Sequence, residues 1–346
     1  MSPSISVSVI VCTCNRAGSL QQTLNALGKV RIPFGCVGEL IVVDNASTDG
    51  TAGVVANAAF DNMLLVYLFE PKRGKAHALN SALAVARGEI LVFTDDDVLP
   101  SADWIEQIHL HFDKAKCDAL VGKVILAPAL ERDWIKDIEK YYLAIPDFES
   151  GNPIHWVGAN AAFHRRCLQR VPAFDPELGS GALGNAEDTL LGYQLVEAGF
   201  KLQYAANVIV VHQPDESRLR RSVWLQAARQ RGQSKAYLLH HWEHVEIKGA
   251  LLKRLWFALK LSVRRRLQPP APSQTEGLLP WERSYVHDLA FYEQYCIERR
   301  RPRNYVKHGI EKLNVVERSV CGYTGQMIIR KLEENRANSS ASPNPQ

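Results

Sequence analysis

Four short apolar runs recur in the first hundred residues, at 5–11, 39–43, 64–69 and 89–93. They are rich in branched aliphatic residues and apolar at consecutive positions, which predicts strands buried on both faces of a parallel sheet. Helix-length segments at 17–27, 48–58 and 75–86 separate them. In the last of these, Ala78, Leu79, Ala82, Leu83 and Ala86 fall three or four apart, a stripe suited to packing on a sheet. Strand–helix alternation of this kind predicts a doubly wound α/β fold with right-handed crossovers. Residues 156–163 and 208–211 read as further strands, and 187–198 as a further helix. The pattern is mostly helical from 215 to 263 and again over 281–299. Residues 268–273, with three prolines, read as a stiff connection. The expected division is an α/β domain over 1–215 and a basic, mainly helical region over 216–334. A disordered tail rich in Ser, Asn and Pro is expected over 335–346.

In open α/β sheets ligands bind beyond the carboxyl ends of the strands. Polar residues gather there in this chain. The four runs lead into Thr13-Cys14-Asn15-Arg16, Asp44-Asn45-Ala46-Ser47-Thr48-Asp49-Gly50, Pro71-Lys72-Arg73-Gly74-Lys75 and Thr94-Asp95-Asp96-Asp97. Basic and hydroxyl groups beside three adjacent carboxylates suit a phosphorylated ligand held through a divalent metal. In an extended chain alternate residues point the same way, so Asp95 and Asp97 should converge and Asp96 should face elsewhere. Hard oxygen ligands of this kind suit Mg2+ or Mn2+ bridged to a diphosphate. A solvated acidic turn is the other reading, although three neighbouring carboxylates repel one another unless something offsets the repulsion. Further on, Asn185-Ala186-Glu187-Asp188 opens a helix, where acids also serve the helix dipole at up to about 1 kcal/mol.

Taken in order, T-C-N-R, V-V-D-N-A-S-T-D-G-T, K-R-G-K-A-x-A-L-N-x-A, F-T-D-D-D, W-V-G-A-N-A-A-F and G-N-A-E-D-T-L-L-G-Y-Q-L resemble family 2 glycosyltransferases of the GT-A fold, over about residues 5–212. The resemblance implies an inverting, metal-dependent transfer of a sugar from a nucleoside-diphosphate sugar to an acceptor hydroxyl. It places Thr13, Arg16, Asp44, Lys75, Asp95 and Asp96 at the donor, with Asp44 at the base-recognising position and a uridine donor favoured. Asp95, Asp97 and His212 fall at the metal, Mn2+ or Mg2+. Gly158, Ala159 and Asn160 form the loop under donor sugar and acceptor. Asp188 falls at the general base, with Glu187 beside it as the alternate. A glycan, a lipid-linked sugar or a small molecule could accept. Two other readings share parts of this pattern: a nucleotidyltransferase acting on sugar phosphates, and a silent nucleotide-sugar-binding protein. The first lacks its Gly-rich basic loop after the first strand, and the second would be marked by loss of the acids present here. Without spanning helices or Q-x-x-R-W, a processive polymer synthase is disfavoured.

Charge changes the picture in one place. The formal net charge is only +4, too little to argue for nucleic acid. Between Arg218 and Gln268, however, there are 13 basic residues and two acidic ones, Glu243 and Glu246. The first part, Arg218 to Gly232, could hold a leaving diphosphate or an anionic acceptor. The second part sets an apolar stripe of Leu, Trp and Phe beside Lys253, Lys260 and Arg264. Packing on its own domain is the expectation for that stripe; peripheral membrane contact through 218–266 is the other reading. His240, His241 and His244 lack the neighbours of a zinc site and read as structural. Seven scattered cysteines, with no leader-like or spanning apolar stretch, suggest free thiols and a cytoplasmic protein, peripheral at the inner face of the membrane if the stripe is not core.

Overall fold

A computed structural model of the chain describes residues 6–114, 117–152, 154–271, 273–313 and 327–329. The tail expected over 335–346 lies outside these residues. In the first part β1 (Val7–Thr13), α1 (Ala17–Leu27), β2 (Gly38–Asp44), α2 (Thr51–Asn57), β3 (Met63–Phe69), α3 (Lys75–Val85) and β4 (Ile90–Asp95) alternate as expected. Next come β5 (Val98–Pro100), α4 (Trp104–Lys114), β6 (Ala119–Leu126), α5 (Asp137–Tyr142), β7 (Asn160–His164), α6 (Glu187–Glu197) and β8 (Leu202–His212). The chain continues through α7 (Arg221–His241), α8 (Ala250–Leu267), α9 (Pro280–Glu298) and β9 (Met327–Ile329).

The strands form one sheet in the order β5-β8-β6-β7-β4-β1-β2-β3-β9. Strands β1 to β4 are mutually parallel, and β2 is buried at every position, which explains its uninterrupted apolar pattern. Strand β7 runs antiparallel between β4 and β6. It starts only at Asn160, not at 156, because Trp156 and Val157 pack into the core from the preceding loop. Strand β8 is longer than its apolar core of 208–211 and carries a bulge where its register on β6 shifts between Gly122 and Lys123.

In α7, Trp224 and Ala228 are buried in a cluster with Leu126 at the end of β6, Tyr237 in one with Leu190 of α6, and Gly232 and Ala236 face α9. Helix α9 crosses α7 so closely that a Cβ at Gly232 would lie 2.2 Å from the carbonyl oxygen of His287. A glycine inside a long helix is explained by that contact rather than by flexibility. Helix α8 departs from expectation. Its Ala250 and Leu261 are buried, but Leu251, Leu252, Leu255, Trp256, Leu259 and Val263 are exposed, so most of the stripe is not core. Only the Phe257 side meets α9, whose opposite face already belongs to α7 and to a cleft beside the sheet edge.

Candidate active site

The carboxyl ends of β1 to β4 are stitched together by their own loops. Asn15, at φ 54°, donates its amide N–H to Ser47 Oγ and accepts from the amide of Thr48 at 2.7 Å. Asn45 accepts from the Gly74 amide at 2.8 Å and donates to the carbonyls of Glu70 and Lys72. Asp44 is buried, its carboxylate accepting from the Ser47 amide at 2.8 Å and the Tyr67 hydroxyl at 2.9 Å. It braces the loop after β2.

The acidic triplet does not alternate as an extended strand would. Strand β4 ends at Asp95, and Asp96-Asp97 make the turn into β5, so all three carboxylates stay at one edge. Asp96 therefore faces inward, contrary to the expectation from alternation: it accepts from Thr13 Oγ1 at 2.7 Å and from Arg16 at 2.8 Å. Arg16 also reaches Asp97 at 3.0 Å, while Lys75 Nζ lies 2.7 Å from Asp95. These two cations offset the repulsion among the three acids. Burial pushes the Asp96 carboxyl up. At Asp97 burial acts the same way, but His212 and Arg16 outweigh it and hold the carboxyl down.

His212 arrives through pairing of distant strands. It is the last residue of β8 and sits opposite Val98 of β5, which sets its Nε2 3.3 Å from Asp97 Oδ1. Its Nδ1 lies 2.8 Å from the Leu143 carbonyl oxygen. Donation of Nδ1–H to that carbonyl leaves Nε2 for Asp97: as an N–H it holds the aspartate's carboxyl down, and without that proton it presents a lone pair to a cation lying between the two. Among the described residues no three His, Cys, Asp or Glu side chains converge as a complete metal site. Two protein donors fit a cation that takes its other ligands from water and phosphate oxygens.

Beyond this cluster opens a cleft of about 640 Å³ lined by Lys75, Asp95, Trp156, Glu187, Asp188 and Arg231, among others. At its floor Lys75 begins α3, and its amide donates to the Ser180 carbonyl at 2.8 Å. A Cβ on Gly181 would stand 2.9 Å from Gly74 Cα, so the glycine lets this loop lie against the start of α3. Glu187 is buried with Lys75 Nζ 3.7 Å away; burial, with Asp188 beside it, pushes its carboxyl up to about 7. Asp188 is only partly buried and lines the cleft. Amides of Gly158, at 3.2 Å, and Thr189, at 2.6 Å, donate to its two oxygens.

Residues 8–171 match the family model described as glycosyl transferase family 2. Over those residues the chain is similar to that family. It is 35% identical over 103 residues to glycosyltransferase AglE of Haloferax volcanii, covering 29% of this chain and 33% of that protein. It is 27% identical over 219 residues to pre-mycofactocin glycosyltransferase of Mycobacterium tuberculosis, covering 60% of this chain and 42% of that one. The chain thus spans a third to under half the length of these two curated relatives. Among solved structures, a mannosyltransferase from Pyrobaculum calidifontis in complex with GDP-Man and Mn2+ matches at TM-score 0.50 and 22% identity, covering 86% of this chain and 74% of that one. The fold is the GT-A fold expected from the motifs.

At this candidate site the structure brings together Thr13, Arg16, Asp95, Asp96, Asp97 and His212, and, in the adjoining cleft, Lys75, Glu187, Asp188, Gly158 and Ala159. Asp44 stays apart, bracing the loop after β2, and Asn160 is a correction. Asn160 is 0% exposed and points into the sheet. Its Nδ2 donates to the carbonyls of Lys123 and Val208, and its Oδ1 accepts from Trp104, each at 2.9 Å. As the first residue of β7 it fills the β6–β8 bulge, where the ladder leaves those carbonyls unpaired. Arg218 opens the basic run that the sequence offers for a leaving diphosphate. It precedes α7 and lines the cleft close enough to Asp97 to lower the aspartate's pKa, yet among the described residues it forms no ion pair. The loop 179–184 at the cleft floor escapes the motif pattern; its one signal is three glycines within six residues.

Proposed function

We propose that the chain transfers a sugar from a nucleoside-diphosphate sugar to an acceptor hydroxyl in one displacement with inversion. The observation that carries this reading is Asp188: a carboxylate open to the cleft, aimed by two backbone amides, next to a cluster suited to a diphosphate. Asp188 takes the proton from the acceptor hydroxyl as that oxygen bonds to the anomeric carbon. The bond from that carbon to the diphosphate breaks, and the nucleoside diphosphate departs with the electron pair. Thr13, Arg16 and Lys75 bind and orient the diphosphate end, Arg218 adds a positive charge there, and Asp44 orders the loop proposed for the base, uracil by preference. Asp97 and His212, with Asp95 nearby, would hold Mn2+ or Mg2+, which supplies charge neutralisation for the departing diphosphate. The GDP-Man and Mn2+ held by the mannosyltransferase neighbour support testing guanosine donors as well.

Residues 1–215 are proposed as the donor-binding domain. Residues from 216 onward complete the acceptor side, since Arg231 and Lys235 of α7 and Arg283, Ser284 and His287 of α9 line the same cleft. The acceptor is proposed to be a sugar or a lipid-linked sugar. A thermal-shift panel of UDP, GDP and their sugars, with and without Mn2+, tests the reading. A ligand at 100 times its Kd should add about 2.7 kcal/mol of stability, and only with Mn2+ present. If no nucleoside diphosphate raises the melting temperature, the reading fails.

A further inference from the structure

We propose that α8 is an interfacial helix that docks this protein on an anionic lipid surface. At 100° per residue, Leu252, Leu255, Trp256, Leu259 and Val263 form one continuous arc of the helix. Their exposures run from 43% at Val263 to 72% at Leu252, so this arc is open along about three turns. The opposite arc holds Ala250 and Leu261, which are buried, and Phe257, stacked on Tyr292 at 5.6 Å. The helix is thus already seated on α9 by its other side, and nothing among the described residues covers the apolar one.

Charge decides what fits there. Residues 250–267 contain Lys253, Arg254, Lys260, Arg264, Arg265 and Arg266 and no acid. Lys253, Lys260 and Arg264 line one border of the apolar arc, Lys260 Nζ lying 4.9 Å from the Trp256 ring. Arg254 lines the other border, where Arg265 is turned onto α9 and paired with Glu282 at 2.8 Å. Arg266 enters the arc only at its last turn, where a long stem lets the guanidinium reach headgroup level. An apolar face bordered by cations on both sides suits acyl chains below and anionic headgroups around them. A second copy of the chain fits less well, because a two-fold pairing of this face would bring cationic borders together. Outside residues 218–268 the sequence is net acidic, so an anionic surface would repel other faces and orient the molecule with α8 down. No helix among the described residues is long and apolar enough to cross a membrane, so the contact is one of lying on the surface.

The test is flotation of the full chain with vesicles of phosphatidylcholine alone and of equal parts phosphatidylcholine and phosphatidylglycerol. The protein should float with the anionic vesicles at low salt and be released as salt screens charges over about 8–10 Å. Leu255→Gln with Leu259→Gln should weaken binding about tenfold or more. Lys253→Gln with Arg254→Gln should weaken it at low salt and erase part of the salt dependence. All four positions are exposed, so the melting curves of both variants should match that of the parent. A parent that ignores anionic vesicles at low salt overturns the proposal. So does one that binds neutral and anionic vesicles alike, or a dimer at sedimentation equilibrium that the double leucine variant dissociates. None of these outcomes depends on the donor or acceptor chemistry proposed above.

Discussion

In the proposed reaction, two carboxylates separate donor binding from proton transfer. Asp188 touches the cleft and not the acid–cation cluster, so Asp188→Asn should leave affinity for the nucleoside diphosphate unchanged. Sugar transfer should fall about 10²–10⁴-fold, the usual contribution of a positioned proton acceptor, as read from initial rates with a saturating donor. Transfer kept within a few-fold of the parent would move the base to Glu187. Asp97 predicts the reverse pattern. It lies 3.3 Å from His212 and 3.0 Å from Arg16, on the side proposed for the diphosphate. Asp97→Ala should abolish the Mn2+ dependence of nucleoside-diphosphate binding in calorimetric titration, while the circular dichroism spectrum stays that of the parent. Unchanged Mn2+ dependence would remove Asp97 from the metal.

At the scale of elements, propensity and packing give opposite signs at one position. Gly232 lies inside α7, where alanine is intrinsically the better helix former by about 1 kcal/mol. A Cβ there would stand 2.2 Å from the His287 carbonyl oxygen and 2.9 Å from the Phe291 amide nitrogen, both backbone atoms that cannot move alone. Opening the α7–α9 crossing should outweigh the propensity gain. Gly232→Ala is therefore expected to destabilise the chain by about 1–3 kcal/mol in urea unfolding. A stabilised variant would show that the two helices pack less closely than described. Because α9 also carries Arg283, Ser284 and His287 into the cleft, the same variant should weaken acceptor use more than donor binding.

For the whole molecule, a buried Asp175 and a half-buried Glu177 fasten the segment around Tyr305 and Lys312 to the α/β core. Asp175 is buried and accepts from Tyr237 at 2.6 Å, Tyr305 at 2.7 Å and Lys312 at 2.7 Å. Glu177 accepts from Lys312 and Asn304, each at 2.8 Å, and from Arg301 at 2.5 Å. Burial pushes the Glu177 carboxyl up, but Lys312 and Arg301 outweigh it and bring it from 4.5 down to about 2. A carboxyl lowered by folding contributes stability in full above its unfolded value and loses it as pH falls through the folded one. The melting temperature should accordingly drop between pH 4.5 and about 2, and Glu177→Gln should flatten that slope. An unchanged slope would mean that the tie does not hold the segment in solution.

Much of the proposed donor side is legible in the sequence, for a local reason. Strands β1 to β4 are buried on both faces, so their apolar runs are continuous, and the residues after each run must sit at the ligand-binding edge. Thr13, Arg16, Lys75 and the three aspartates are placed there by pattern alone. Asp188 is placed on the first turn of a helix in the same way. The inward turn of Asp96, the saturation of Asn160, the meeting of His212 with Asp97 and the open face of α8 are not. The first follows from the turn between β4 and β5, with Thr13 and Arg16 as its partners, and the others from which distant element lies alongside: the β6–β8 bulge, β5 pairing β8, or α9 covering one side of α8 only. Sequence pattern determines how a segment is folded and which of its residues share a face. Which face is covered, and which polar group finds its partner, is decided only when segments far apart in the chain pack together, because burial and hydrogen bonding are properties of the neighbours as much as of the residue.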